Sequence, residues 1–275
     1  MAAVTGTIPP AVRSTALFPI ATGPDVPAAL PLERVRGDGV AALLLPGPSG
    51  ALVEVRSLAG DRLESELERL RALLRERGKT RAAWFVPVGA EPADAARRLR
   101  RLGLEPYEEP PFEPRFASMV RVQPTEAAPP GVVARFPETF EEYLAGVHVG
   151  EEAFAVPEED RRAWHEHERT IWELQASGRS PSRLLVALVD GEVVGNASAL
   201  LCDHAVNLLG GSVRPDMRGR GVYRALVRAR WEVAAARGTP ALTVQAGAMS
   251  RPVLERLGFE TVGWTDCLLD ELGAA

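Results

Sequence analysis

Apolar residues recur along the chain in two rhythms, every second position and every third or fourth, and their succession lays out strands and helices. Val40–Leu45 and Ala51–Val55 are apolar runs around Pro46-Gly47-Pro48-Ser49-Gly50, which predicts a hairpin. From Asp61 to Arg77 the leucines at 63, 67, 70, 73 and 74 fall on one helical stripe, with Gly78 as the stop and Asp61 as the expected cap. A strand at Ala82–Val88, a helix at Ala93–Leu102 and a closing strand at Phe116–Val122 follow. The pattern then starts again with a strand at Val132–Phe136 and helices at Thr139–Gly150 and Glu158–Ser177. Strands Leu184–Leu188 and Glu192–Leu201 flank Asp190-Gly191, a hairpin signal. The remainder reads as strand Leu208–Val213, helix Val222–Arg237, strand Ala241–Gln245, helix Arg251–Leu257 and a last strand near Thr261–Leu268.

The second series repeats the first. Gly238 stands 160 positions after Gly78, and Gly258 stands 155 after Gly103, each ending a helix ahead of similar residues. The expectation is an α/β (α+β) protein of two tandem domains, 31–122 and 132–275, each a mixed, mostly antiparallel sheet flanked by helices. Two unrelated α/β domains are the alternative. Residues 123–131, Q-P-T-E-A-A-P-P-G, read as the linker. Residues 1–30, rich in Pro and Ala, read as a leader or an extended arm on the first domain.

Charge narrows the partners. With 32 Lys and Arg against 37 Asp and Glu the net charge is −5, which offers no basic footprint for nucleic acid. No apolar run reaches membrane-spanning length and no secretory leader is evident, so a soluble cytoplasmic protein is expected. Cys202 and Cys267 are too few for a disulfide framework. The expected partner is a small molecule, with a homodimer left open.

Chemistry concentrates between Asn207 and Leu226. Pro215 and Asp216 break a short strand; Gly219 and Gly221 form a basic turn; Val222, Leu226, Ala229 and Val233 then have helical spacing. Strand, glycine turn and helix start make an anion site, because first-turn amides lack intrahelical partners and the macrodipole is positive there. Arg218, Arg220 and Arg224 add charge, whereas Arg228 and Arg230 read as a solvated helix face. Neither G-x-x-x-x-G-K-[ST] nor G-x-G-x-x-G is present. The stretch resembles the pyrophosphate loop of the GCN5-related N-acetyltransferase family, V-x-P-x-x-[RQ]-x-x-G-x-[GA]. Val213, Pro215, Arg218 and Gly221 match, and Tyr223 stands where the family prefers Gly or Ala. A second family signature follows at Leu257-Gly258-Phe259, and the resemblance covers residues 132 to 270 approximately.

The resemblance implies acetyl-CoA as co-substrate, with Val213, Arg218, Gly219, Arg220, Gly221, Val222, Tyr223 and Arg224 as its binding candidates. It makes both domains acetyltransferase-like, the first degenerate: its turn at Ser57-Leu58-Ala59-Gly60-Asp61 has one glycine and an acidic residue. It implies that a backbone N–H beside Val213 polarises the acetyl carbonyl. Asn207 occupies the position of a glutamate base in some members and is a candidate to hold water or acceptor; strand alternation would put Asn207, Leu209, Gly211 and Val213 on one face. His204 is a candidate base. Leu254 replaces the usual tyrosine acid, and the neighbourhood of Gly247 replaces an asparagine that contacts the cofactor arm. Ser250 reads as a helix N-cap or a partner of the cofactor arm or thiolate, and Tyr223 as packing or touching the pyrophosphate. His165, Glu166, His167 and Glu168 crowd together but lack the i, i+4 histidine pair of a zincin, so a solvated face with one buried histidine, and no metal, is expected. The implied activity is acetyl-CoA-dependent N-acetyl transfer to a small amine in a ternary complex. A catalytically weak acyl-CoA-binding or regulatory module, or a tandem acyltransferase of the thiol-cofactor synthase type, are the alternatives.

Overall fold

The alternating runs of both halves line up in one sheet. The computed structural model describes residues 7–58 and 62–273. The first half contains α1 (Pro10–Leu17), β1 (Glu33–Arg36), β2 (Val40–Leu44), β3 (Ala51–Val55), α2 (Leu63–Glu76), β4 (Arg81–Pro87), α3 (Ala95–Arg101), β5 (Glu105–Pro106) and β6 (Arg115–Arg121). The second contains β7 (Val132–Arg135), α4 (Phe140–Ala153), α5 (Glu158–His165), α6 (Glu168–Ala176), β8 (Ser182–Val189), β9 (Glu192–Leu201) and β10 (Val206–Val213). A short 3-10 turn (Pro215–Met217), α7 (Val222–Ala236), β11 (Leu242–Ala246), α8 (Arg251–Arg256) and β12 (Glu260–Glu271) complete it. No described helix is long and apolar enough to cross a membrane.

The strand order is β1-β2-β3-β4-β12-β6-β11-β10-β9-β8-β7, with β5 also on β12. Most pairs are antiparallel; β3 with β4 and β10 with β11 are the parallel ones, each bridged by a helix, α2 or α7. The sheet is therefore mixed and mostly antiparallel with helices on its faces, as expected. Each half therefore contains one β–α–β crossover, β3-α2-β4 and β10-α7-β11.

At the centre, the halves exchange strands. β6 from the first half lies between β11 and β12, pairing Leu242–Ala246 on one side and Glu260–Asp266 on the other. β12 runs on past it to pair β4 through Thr265–Glu271. Buried Asp270 on β12 receives Arg71 of α2 (Nη2 to Oδ1 2.8 Å), so a charge-assisted bond joins the same two halves.

Two apolar layers sandwich the second half of the sheet. Leu185, Ala187, Val206, Leu208, Leu226 and Leu242 pack under α7. Tyr143, Ile171, Leu174, Leu184 and Val186 pack under α4 and α6 on the other face.

Several expectations change. Within the segment read as a leader or an arm, the described residues from 7 onward include a helix: α1 buries Val12, Ala16 and Leu17 and lies on β6, β11 and β12. The Ile20 and Ala21 N–H groups donate to Glu54 on β3 (3.0 and 2.8 Å). Leu30 joins the layer under α4, so this segment touches both halves. The expected helix over 158–177 is two, α5 and α6, turning at Glu166 and His167. No Pro or Gly marks the break; it brings Glu168, Ile171 and Leu174 to the buried side. Asp61, the expected cap of α2, lies outside the described residues.

Because β6 is donated across the 123–131 segment, a chain of residues 132–275 would leave β11 and the start of β12 without their shared partner. Such a fragment is expected to be aggregated or to unfold without cooperativity, and the whole chain to melt in one calorimetric transition. A soluble, cooperatively folding 132–275 fragment together with two separate transitions of the whole chain would contradict this.

Candidate active site

β10 and β11 pair only at Val206 with Leu242 and Asn207 with Thr243, then part. A bulge explains the parting. Between Leu209 and Ser212 the register of β10 on β9 shifts, and Gly210 takes φ +41°. The bulge also reverses the strand's facing: Leu208 and Val213 both pack under α7, while Ser212 bonds Asn196 and the Val149 carbonyl on the α4 side. The expectation that Asn207, Leu209, Gly211 and Val213 share one face is thus corrected at the bulge. The Arg214 N–H donates to the Val194 carbonyl on β9 (2.9 Å), so by alternation the Val213 N–H points away from β9, into the opening.

In the first half the parallel strands β3 and β4 stay together. Beyond β3 and β4, Ser57 and Glu91 form a further parallel bridge, held by Leu58 N–H to Glu91 O (2.6 Å) and Glu91 N–H to Arg56 O (2.9 Å). That end of the first half is closed by backbone bonds.

The opening in the second half is a cleft of about 800 Å³. Its floor is Gly211, Ser212 and Val213; its sides are the glycine turn with the first residues of α7, the end of α4 (Ala153, Phe154), and α8 with Met249 and Ser250. Gly219 (φ 75°) and Gly221 (φ 79°) hold left-handed conformations that deliver the chain into α7 at Val222. Val213, Arg218, Gly219, Arg220, Gly221, Val222, Tyr223 and Arg224 all line this one cleft. Among the described residues neither Arg218 nor Arg220 has a carboxylate within ion-pair distance, whereas Arg214 is held by Glu192 and Asp216. The 123–131 segment lies along the same helix. Arg228 donates to the Thr125 carbonyl (2.7 Å), Arg224 reaches Glu126, and Pro129 stands where a side chain on Gly221 would go.

The catalytic candidates are scattered. Ser250 lines the cleft and stands at the N-cap position of α8, but its hydroxyl turns back to the Gly247 carbonyl (3.4 Å) and makes no cap bond. Asn207 is buried at the point where the strands part, and its Oδ1 accepts the Thr243 hydroxyl (3.0 Å). His204 is exposed in the bend before β10 and does not line the cleft, with roughly 20 Å of strand between Val206 and Val213. Leu254 is fully buried in the layer under α7. A side chain at Gly247 would strike the Glu113 carboxylate, which accepts the Ala248 N–H (2.7 Å) across from the first half.

Arg230 is where the solvated-face reading fails. It is 1 % exposed, donating from Nε to the Leu226 carbonyl (3.1 Å) and from Nη1 to the Ser198 carbonyl (3.5 Å). Its Nη2 makes no hydrogen bond and lies behind Gly211, against which the Tyr223 ring packs. Burial lowers its pKa from the ordinary arginine range, and Tyr223 is the polar group that opposes the shift. The sequence did hold a signal: Arg230 is four residues beyond buried Leu226, on the stripe that faces the sheet.

An acetyltransferase of Pectobacterium atrosepticum is 32% identical over 110 residues, which are 39% of this chain and 74% of that protein. The acetyltransferase (GNAT) family matches residues 148–259, from α4 through the cleft to Phe259. The chain belongs to this family. A GCN5-related N-acetyltransferase from Kribbella flavida shares the GNAT fold with TM-score 0.63 and 16% identity, over 87% of this chain and 89% of that one. A tandem GNAT protein from the clavulanic acid biosynthesis pathway superposes with TM-score 0.55 and 18% identity, over 96% and 88%. GNAT acetyltransferases use acetyl-CoA as co-substrate, and the loop, amides and free arginines around the cleft suit its phosphates.

Gly219 offers a clean test of the loop. No atom lies within 4 Å of where its side chain would stand, so Gly219→Asp costs about 1–2 kcal/mol of backbone strain but no clash. The variant is expected to lose at least tenfold in coenzyme A affinity by calorimetry while melting within several degrees of the parent. Unchanged affinity would remove the loop as the anion site.

Proposed function

We propose that the chain is an acetyl-CoA-dependent N-acetyltransferase that passes the acetyl group directly to a small amine held in the same cleft. The observation that carries this reading is the parting of β10 from β11 with the Val213 N–H turned into the gap, at the mouth of a glycine turn that feeds a helix N-terminus. Acetyl-CoA supplies the activated thioester. The first-turn amides of α7, with Arg218 and Arg220, take the phosphates, and the Val213 N–H polarises the carbonyl. Ala153 and Phe154 at the end of α4 and Met249 before α8 leave room for the acceptor beside the gap.

The leaving thiolate needs a proton, and Leu254 has none to give. We assign that role to Tyr223. Its ring lies against Gly211 in the cleft, and the charge left on its oxygen would face the Arg230 guanidinium, which has no carboxylate partner. His204 lies outside the cleft lining and is set aside as the base; the amine arrives neutral, the proton its nitrogen sheds as the amide forms passes to solvent, and solvent reprotonates Tyr223.

The first half (residues 31–122) is read as a second, eroded copy of the 132–275 unit, joined through 123–131. The Ser57–Glu91 bridge supports this reading, because it closes the place where a cofactor arm would enter. A tandem relative of similar fold supports it as well.

A thiol-release assay with acetyl-CoA and a broad panel of small amines tests the activity, and acceptor-dependent release is expected. Tyr223→Phe is expected to lower the turnover about a hundredfold or more with little change in coenzyme A affinity, and Ser250→Ala to lower it far less. Release at the background rate with every amine would reject the enzyme reading. An unchanged Tyr223→Phe would reject only the proton donor.

A further inference from the structure

Outside the cleft lining, three side chains from two helices converge. His148 and Glu151 are three residues apart on α4 and so share a face. His165 ends α5. One ligand atom from each of the three lies within 4.8 Å of the other two, and the His165 Nε2 is 2.7 Å from the Glu151 Oε1. The imidazoles of His148 and His165 meet edge to face, centroids 6.1 Å apart at 66°.

Behind them stands Glu168, the first residue of α6 and only 6 % exposed. This is the buried member of the H-E-H-E run, in place of the histidine expected there. The Tyr143 hydroxyl donates to its carboxylate, but its Oε2 is buried without any hydrogen bond. Titratable groups near that carboxylate include His165, Glu151 and His148. A buried carboxylate oxygen without a hydrogen-bond partner, beside two imidazoles and a second carboxylate, is a group whose charge a nearby cation would compensate.

We propose that His148, Glu151 and His165 bind a divalent transition-metal ion of the zinc type, with Glu168 supplying negative charge behind them. Two imidazole nitrogens and a carboxylate oxygen select such an ion over magnesium or calcium, which prefer oxygen ligands throughout. Zinc held at about 2.0–2.2 Å spaces its ligands roughly 3.3–3.6 Å apart, so modest side-chain rotation closes the set. The ion would tie α4 to the α5–α6 turn two residues before Ala153, which lines the cleft, and so would fix one wall of the acceptor space. None of the four residues lines the cleft itself, so the site stands or falls independently of the proposed activity.

The test is titration of the whole, tag-free chain with Co²⁺ followed by visible absorption, and with Zn²⁺ in competition. One ion per chain, with a d–d spectrum abolished by stoichiometric Zn²⁺, is expected. Zn²⁺ should raise the melting temperature of the parent. His148→Ala and His165→Ala should each lose at least tenfold in affinity together with that rise, and Glu168→Gln should weaken binding about tenfold. His204→Ala, outside the cluster, should behave as the parent. Both histidines are exposed, so their substitutions leave the core intact, and circular dichroism checks it. Absence of stoichiometric binding by the parent, or binding of equal strength in His148→Ala and His165→Ala, would overturn the proposal.

Discussion

The loss of backbone pairing between β10 and β11 after Asn207 is the constraint on which the site depends. A central sheet normally satisfies every amide along its strands, and leaving them open is costly unless water or a ligand takes their place. Here the bulge at Gly210 turns β10 aside, and the Thr243–Asn207 bond marks the last point where the two strands are held together. Beyond it the Val213 N–H, the glycine turn and the first turn of α7 all direct donors into one space. Gly211 has no side chain, so Tyr223 fits beneath the strand, and behind it a fully buried guanidinium adds a fixed positive charge. A site built from donors and cations recognises an anionic, carbonyl-bearing ligand.

The other parallel pair, β3 with β4 in the first half, is closed by a short run of backbone bonds. Ser57 and Glu91 continue the β3–β4 pairing where β10 and β11 have separated. The two β–α–β units thus differ at one strand end by a few backbone hydrogen bonds. The closed unit still contributes: it donates β6 to the centre of the sheet, sends Glu113 to the Ala248 amide and holds Asp270 of β12 through Arg71. The exchange of β6 and β12 makes the halves interdependent even though the cleft belongs to one of them.

What was legible from the residues follows physical lines. Strands and helices with a clean period were found at nearly their true bounds, as were the loop glycines, because left-handed φ and helix starts leave local marks. α1 was missed because eight residues that begin on a proline carry too little periodicity; its stability comes from Val12, Ala16 and Leu17 meeting three strands distant in sequence. The break at Glu166–His167 was missed for the same reason, since it is set by packing against Tyr143 and Leu184 and not by a local breaker. Arg230 was misjudged by charge alone, although its helical position pointed inward. The convergence of His148 with His165 lay beyond reach, because only the packing of α5 against α4 brings them together.

The most direct measurement of the central claim is calorimetric titration of the whole chain with coenzyme A. One binding event per chain, lost in Gly219→Asp, is the result predicted by a cleft that is open in the second half and closed in the first. Two events per chain, or one that survives in Gly219→Asp, would contradict it.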